Sequence, residues 1–437
     1  MSSTIVIWIV IAWFAIFLAL GQNVATVLFG AGIVGIALYI GIAPLGGIIG
    51  PDTFYTASIY SLSIVPLYLL MAQMLLRGGI INDLFQVGHR LSGYRRYPLG
   101  VATIVTGSLL GAVSGSGAAS SASLAAVASP ELEKLGYTRR FSLSIAAVAG
   151  SLSAIVPPSL IMIIYGSLTS VPIGHLFIGA LGPALLCITI YVVCLKVFSE
   201  IRKDAQVDGT VPDEPEEEDG RRKSRNAFLF VVTLMVVVFG GIYGGIITVA
   251  EAGAIGAFTA MVGMVAMGRV SHKDIFQALS ESVKITAALM MLVLGAKIFA
   301  RFLTFSRLPN ELIAVMDPLM SNPGLVAVIL LAVFFLAGMF LESAAVIVLL
   351  VPIILPLLEA AGIDLLWFGV SASTMIALGL LTPPVGLASF AAASAAGHPA
   401  SQVFRGATVF AVAAGVIVTA LLLIFPSVVT WLPAQMR

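Results

Sequence analysis

The groups in this sequence best placed to do chemistry are small hydroxyl-bearing residues and paired prolines. Residues 111–123 read GAVSGSGAASSAS, and Pro157-Pro158 follows further along. After Val113 the stretch has no large apolar side chain, although the chain around it is as apolar as lipid. Such a segment cannot face hydrocarbon, where each unpaired backbone group costs several kcal/mol, so it must be buried in protein or line a wet cavity. Carbonyls and hydroxyls freed there become ligands for an ion or a polar solute, as in the discontinuous helices of secondary transporters. Proline adds to this, because it lacks an N–H and clashes with the carbonyl four residues back. Pro157-Pro158 and Pro383-Pro384 therefore both release backbone oxygens. Ser114 and Ser116 flank Gly115 and can set hydroxyls and carbonyls on one turn, and Thr382 does the same before the second proline pair. A Gly/Ser cluster alone also serves close helix packing. Proline pairs in both halves of the chain favour an ion-and-solute site.

The composition sets the class. Of 437 residues, 59% are hydrophobic and 10% charged, and the mean hydropathy is +1.09, values outside the range of soluble globular domains. At about 20 apolar residues per span, there is room for roughly a dozen membrane segments, some re-entrant. A formal net charge of +1 leaves no basic stripe for nucleic acid. Cys187 and Cys194 read as packing residues on an apolar helix rather than a disulfide. The N-terminus lacks the positive region of a cleavable signal peptide.

The elements that must position the site follow from hydropathy and charge. Residues 4–20 and 24–43 read as helices, 44–51 as a loop, and 54–76 as a third span kinked at Pro66. The polar stretch 77–98 carries Arg77, Arg90, Arg95 and Arg96, which assigns it to the cytoplasm. Residues 99–129 lie between two basic ends and predict a re-entrant hairpin opening to the cytoplasm. Residues 141–170 then cross outward as a helix broken at Pro157-Pro158, and 172–198 return. Residues 199–226, acidic from Asp213 to Asp219 and basic on either side, read as a solvated cytoplasmic linker. The chain thus divides into 1–198, the linker, and 227–437.

The second half repeats the first at an offset close to 226. Pro130 registers with Pro356, Gly136 with Gly362, and Pro157-Pro158 with Pro383-Pro384. Counted from the linker, a second hairpin at 323–360 starts outside, and its return around Glu359 and Asp364 has no Lys or Arg. A second broken helix covers 365–397. The expected fold is an all-α polytopic membrane protein of two inverted-topology repeats, with a site at the midplane between oppositely inserted hairpins.

The segments SGSGAASS (114–121), LEKLGYTRRFSLS (132–144) and IVPPSLIMIIYGSLTSVPIGHLF (155–177) resemble the first hairpin and broken helix of the large membrane subunit of TRAP transporters. GGIITVAEAGAIGAF (244–258), GMFLESAAVIVLLVPIILPLL (338–358), GIDLLWFG (362–369) and LGLLTPPVGLASF (378–390) are similar to that family's second-half signatures, in the same order. Glu342 stands where the family usually carries Asp, and Met375 near a frequent Asn. The resemblance implies elevator-type, sodium-driven uptake of an organic acid in the bacterial inner membrane. It also implies two partners, a soluble periplasmic substrate-binding protein and a small four-helix membrane subunit. On these motifs the sodium candidates are Ser114, Gly115, Ser116, Gly338, Glu342, Thr382, Pro383 and Gly386. The substrate candidates are Ser116, Gly117, Ala118, Pro157, Pro158, Ser159, Pro384 and Val385.

Other polar residues have simpler roles. Glu342 and Glu251 are the intramembrane acids, and such acids are functional hypotheses by default. Glu342 registers with Ser116 in the first hairpin, whereas Glu251 follows Thr248 in a capping pattern. Lys297 and Arg301, four apart near a helix end, read first as snorkelling side chains and second as attractors of an anion. His89, His175, His272 and His398 fall near segment ends and read as interfacial. An intramembrane serine hydrolase is disfavoured, since no His, Lys or Asp in the first hairpin offers an activating base. A passive channel leaves the second proline pair without a role. The closer alternative is a stand-alone sodium and carboxylate symporter that takes free substrate.

Overall fold

The computed structural model describes residues 3–93, 95–201 and 218–436, and among them all regular structure is helical. The first half comprises α1 (Ser3–Ala19), α2 (Val24–Ile40), α3 (Leu45–Ala57), α4 (Ile64–Arg77), α5 (Ile80–Leu91), α6 (Arg96–Ser114), α7 (Gly117–Lys134), α8 (Arg139–Ser151), α9 (Leu160–Thr169), α10 (Ile173–Gly179) and α11 (Leu181–Ile201). The second comprises α12 (Glu218–Tyr243), α13 (Val249–Ala266), α14 (His272–Ser306), α15 (Leu308–Met316), α16 (Pro323–Phe340), α17 (Ser343–Ala360), α18 (Leu365–Gly379), α19 (Leu387–Ala395), α20 (Ala400–Ile424) and α21 (Ser427–Thr430). Among the described residues, eight helices are long and apolar enough to cross a membrane, and four apolar helices are shorter.

Three expectations change. Residues 44–51 are not a loop but belong largely to α3. The third span breaks at Ser58–Ile59, ahead of a 3-10 turn at Tyr60–Ser63. Pro66 therefore falls in the first turn of α4, where a missing N–H costs nothing. The polar stretch 77–98 contains α5, an amphipathic helix that buries Ile80, Leu84 and Phe85. Its apolar period is helical even though its charge resembles that of a loop. The linker lies mostly outside the described residues, and from Glu218 the chain is already helical.

The helices pack as two groups. In one, α2 lies along α14, α4 along α13 and α14, and α12 on α13 and α5. Glycines set this approach: a methyl group on Gly32 would stand 2.8 Å from Phe299 N, and one on Gly295 would stand 2.6 Å from Ala25 O. In lipid such small-residue contacts take over from the hydrophobic effect as the source of helix association. In the other group α7 packs on α8 and α19, α6 on α8, α16 on α18, and α17 on α9, with α11 and α20 outside them. Contacts of α6 with α4 and α5, and of α17 with α14 and α15, join the groups.

Long-range hydrogen bonds identify which helix ends lie together. Ser144 at the start of α8 donates to Val403 O at the start of α20 (3.0 Å). Arg269 after α13 pairs with Asp83 of α5 and donates to Gly78 O (3.1 Å) after α4. Elsewhere Tyr165 near the end of α9 donates to Leu365 O (2.7 Å), and Trp367 at the start of α18 donates to Leu422 O (3.1 Å) near the end of α20. Tyr68 of α4 likewise donates to Val249 O (3.2 Å) at the start of α13.

Candidate functional site

The first hairpin turns where glycine permits it. Gly115 has φ +61°, a left-handed conformation that a side chain resists, and its N–H closes α6 on Gly111 O (3.1 Å). Ser116 then caps α7, its hydroxyl accepting from Ala119 N at 3.5 Å. The side chain of Ser114 lies outside the described residues. The second hairpin turns at Leu341, with Glu342 capping α17 and accepting from Ala344 N (2.9 Å). Glu342 is nonetheless exposed as a residue at the tip.

Both proline pairs break helices as expected, and both are cis. Behind α8 the chain makes a 3-10 turn at Leu152–Ala154, and the Ser159 hydroxyl donates to Ala154 O (2.7 Å). Behind α18, Gly379 O accepts from both the N–H (2.9 Å) and the hydroxyl (2.8 Å) of Thr382. Leu380 O accepts from Ala388 N (3.0 Å), and Leu381 O from the Ser389 hydroxyl (2.9 Å). Of the two carbonyls the prolines release, Gly379 O is thus held by Thr382 and Leu380 O by α19, which also takes Leu381 O. The Thr382 hydroxyl, buried and donating, can reach an ion only through its lone pairs.

The breaks and tips converge. Gly386, at φ +50°, donates its N–H to Met339 O (3.0 Å) and so ties the second break to the second hairpin. Gly115 lies against the first break: a methyl group there would sit 3.4 Å from Pro158 O. A methyl group on Gly117 would meet Leu380 Cδ1 of the second break at 3.3 Å. The first tip therefore touches both broken helices. Gly338 is buried where α16 crosses α18, and a methyl group would stand 2.8 Å from Ile376 O, so the close crossing requires glycine there. The substrate candidates also divide by exposure. Pro157, Pro158 and Ser159 are buried, whereas Pro384 and Val385 are exposed, as are the sodium candidates Pro383 and Glu342. The open side of the site is the second break.

Sequence reasoning missed Met339, Ser389 and the run LASFAAASA of α19. The signal was present, since α19 and the GAASSASLAA of α7 are both runs of small residues and pack together. Of the remaining polar groups, Glu251 forms a capping box with Thr248, accepting from its N–H (2.7 Å) and hydroxyl (2.8 Å). Arg301, half exposed, makes a two-pronged pair with Asp52 of α3 (2.7 and 3.1 Å). No cluster of three His, Cys, Asp or Glu that could hold a metal ion occurs among the described residues. Cys187 and Cys194 are free.

Helical hairpins set against helices broken by proline pairs, with eight helices among the described residues long and apolar enough to cross a membrane, fit a multi-pass membrane protein of the secondary-transporter type. Residues 11–431 match the family model of the tripartite ATP-independent periplasmic transporter, DctM component, and the chain belongs to that family. It is 30% identical to the C4-dicarboxylate TRAP transporter large permease protein of Pseudomonas aeruginosa, over 87% of this chain and 86% of that one. It is also 30% identical to the ectoine TRAP transporter large permease protein of Halomonas elongata, over 85% of this chain and 86% of the relative. The fold is similar to the crystal structure of the Alcanivorax borkumensis YdaH transporter (TM-score 0.67, 13% identity, 95% of this chain and 98% of that one). This chain is therefore a TRAP transporter large permease, a multi-pass protein of the bacterial inner membrane. Such permeases take up substrate together with a small membrane subunit and a periplasmic binding protein, and the relatives are permeases rather than enzymes.

Proposed function

We propose that this permease carries out sodium-coupled secondary active uptake of an organic acid delivered by its binding protein, by an elevator movement of one helix group against the other. The observation that carries this reading is the convergence of both hairpin tips on the two broken helices, with Gly386 N held on Met339 O. The group holding the tips, α6–α11 and α16–α21, is the moving part, and the group of α1–α5 and α12–α15 is the frame. The matching element bounds support two inverted repeats. Shifted by 226, the ends of α6 at Ser114 and the start of α7 at Gly117 fall on Phe340 and Ser343, the bounds of α16 and α17. The hydrogen bonds between helix ends support opposite insertion of the hairpins.

In this mechanism sodium is a co-substrate. Ser114, Gly115, Ser116, Thr382, Pro383 and Gly386 offer backbone and hydroxyl oxygens, and Glu342 supplies negative charge at the open side. Sodium orders the tips first, and the carboxylate then meets the amides at the start of α7 and the exposed Pro384–Val385 segment. If two sodium ions accompany a monovalent anion, one net charge moves inward, contributing about 2.3 kcal/mol per 100 mV of membrane potential.

The test is uptake of labelled organic acids into proteoliposomes holding this chain and a small membrane subunit, with an inward sodium gradient, with and without the binding protein. Uptake that needs both sodium and binding protein is expected. Sodium-driven uptake of free substrate would identify a stand-alone symporter, and uptake indifferent to sodium would refute the ion site.

A further inference from the structure

A second cavity, of about 740 Å³, lies away from the hairpin tips. One wall is the end of α9 and the start of α10, including Ser167 and His175, from the tip-bearing group. The facing wall is Tyr60 and Ser61 ahead of α4, the turn around Thr248, and Lys297 of α14, from the other group. The cavity thus sits on the seam between the groups. It also sits at the end opposite the basic loops. Lys297 is 25 residues into α14 from His272, a rise of about 38 Å, which exceeds the ~30 Å hydrocarbon layer.

The charges of the cavity do not cancel locally. Arg301, one turn beyond Lys297, is neutralised by Asp52. Glu251 also lines the cavity, but its carboxylate folds back on Thr248 at the N-terminus of α13, where the helix dipole offsets negative charge. Lys297, half-buried, has no ion-pair partner among the described residues. Of the hydroxyl residues lining the cavity, Thr248 donates to Glu251 and Ser167 to Ile163 O, which leaves Tyr60 and Ser61 as donors; a lone ammonium beside them is suited to a small organic anion, with the lysine supplying charge and these hydroxyls supplying hydrogen bonds.

We propose that this cavity is an outer vestibule for small carboxylates, in which Lys297 holds the substrate anion on its way to the hairpin tips. This rests on the uptake reading above and extends it with a second, transient anion site. Because its walls belong to different groups, sliding of the groups would dismantle the vestibule once the substrate has left it.

The test uses a reporter cysteine at Ser61 in a chain carrying Cys187→Ala and Cys194→Ala, reconstituted as the full transporter. Its rate of reaction with the anionic 2-sulfonatoethyl methanethiosulfonate is compared with that of neutral methyl methanethiosulfonate, with Lys297 intact and with Lys297→Gln. A several-fold loss of the preference for the anionic reagent in Lys297→Gln is expected, with the preference also fading at high salt. Lys297→Arg should keep it. In the uptake assay, Lys297→Gln should raise the half-saturating concentration of the transported acid several-fold while the maximal rate changes little. An unchanged reagent preference would overturn the proposal. So would a lost preference with an unchanged half-saturation, which would leave the lysine an electrostatic bystander. If no sodium-dependent uptake occurs in the parent protein, the uptake reading fails, whereas the reagent comparison still reports on anion attraction by Lys297.

Discussion

Replacing Glu342 by Gln separates two roles that the structure joins in one side chain. The carboxylate caps α17 through Ala344 N at 2.9 Å, and it is exposed at the open side of the candidate ion site. Gln keeps the shape and a carbonyl acceptor, so the cap survives in weakened form, and the loss of charge at the helix N-terminus costs about 0.3–1 kcal/mol. Ala removes the cap outright, costing about 0.5–2 kcal/mol. The ion role gives a different signature. A unit charge about 4 Å from sodium contributes about 1 kcal/mol in water and about 4 kcal/mol near a protein surface. Because Glu342 is exposed and screened, the lower figure applies, equivalent to about a five-fold change in affinity. Sodium titration of uptake in proteoliposomes should therefore show Glu342→Gln raising the half-saturating sodium concentration about five-fold or more. Its thermal unfolding in detergent should stay close to that of the parent. If Glu342→Gln leaves the sodium titration in place and only Glu342→Ala lowers stability, Glu342 is a cap and the ion site lies elsewhere.

Four further outcomes are expected. Gly386→Ala places a side chain at φ +50° and a methyl group 2.7 Å from Thr382 O, so it should lower the unfolding temperature and abolish uptake, with about 1–2 kcal/mol lost to backbone strain alone. Ser389→Ala strands the buried Leu381 carbonyl and should cost about 1–3 kcal/mol, read as a shift in chemical unfolding in detergent. Asp83→Asn leaves Arg269 without its carboxylate where α5 and α13 meet, and should cost up to about 3 kcal/mol in the same measurement without altering the sodium titration. Ser116→Ala combined with Thr382→Ala should weaken the sodium dependence of uptake, and an unchanged dependence would remove both residues from the site.

What the sequence determined by itself were the features that act locally. Gly115 stops a helix wherever it occurs with positive φ, and Pro157-Pro158 and Pro383-Pro384 interrupt one whatever surrounds them, so the breaks were legible as residue types. The capping box at Thr248 and Glu251 was equally local, since both partners lie within one turn. α5 was legible but was read by its charge instead of its period: in IINDLFQVGHRL the apolar residues recur at helical spacing. Other features depend on contacts between residues distant in the chain. That Met339 O receives Gly386 N, that α19 holds the Leu380 and Leu381 carbonyls, and that Gly338 packs closely on Ile376 follow from how α16, α18 and α19 meet. Asp52 and Arg301 likewise find each other across 249 positions of sequence, leaving Lys297 as the uncompensated charge one turn away. Local chemistry can release a backbone oxygen or expose a charge. Only the packed structure decides whether another helix claims it, because that depends on helix crossings that no local spacing records.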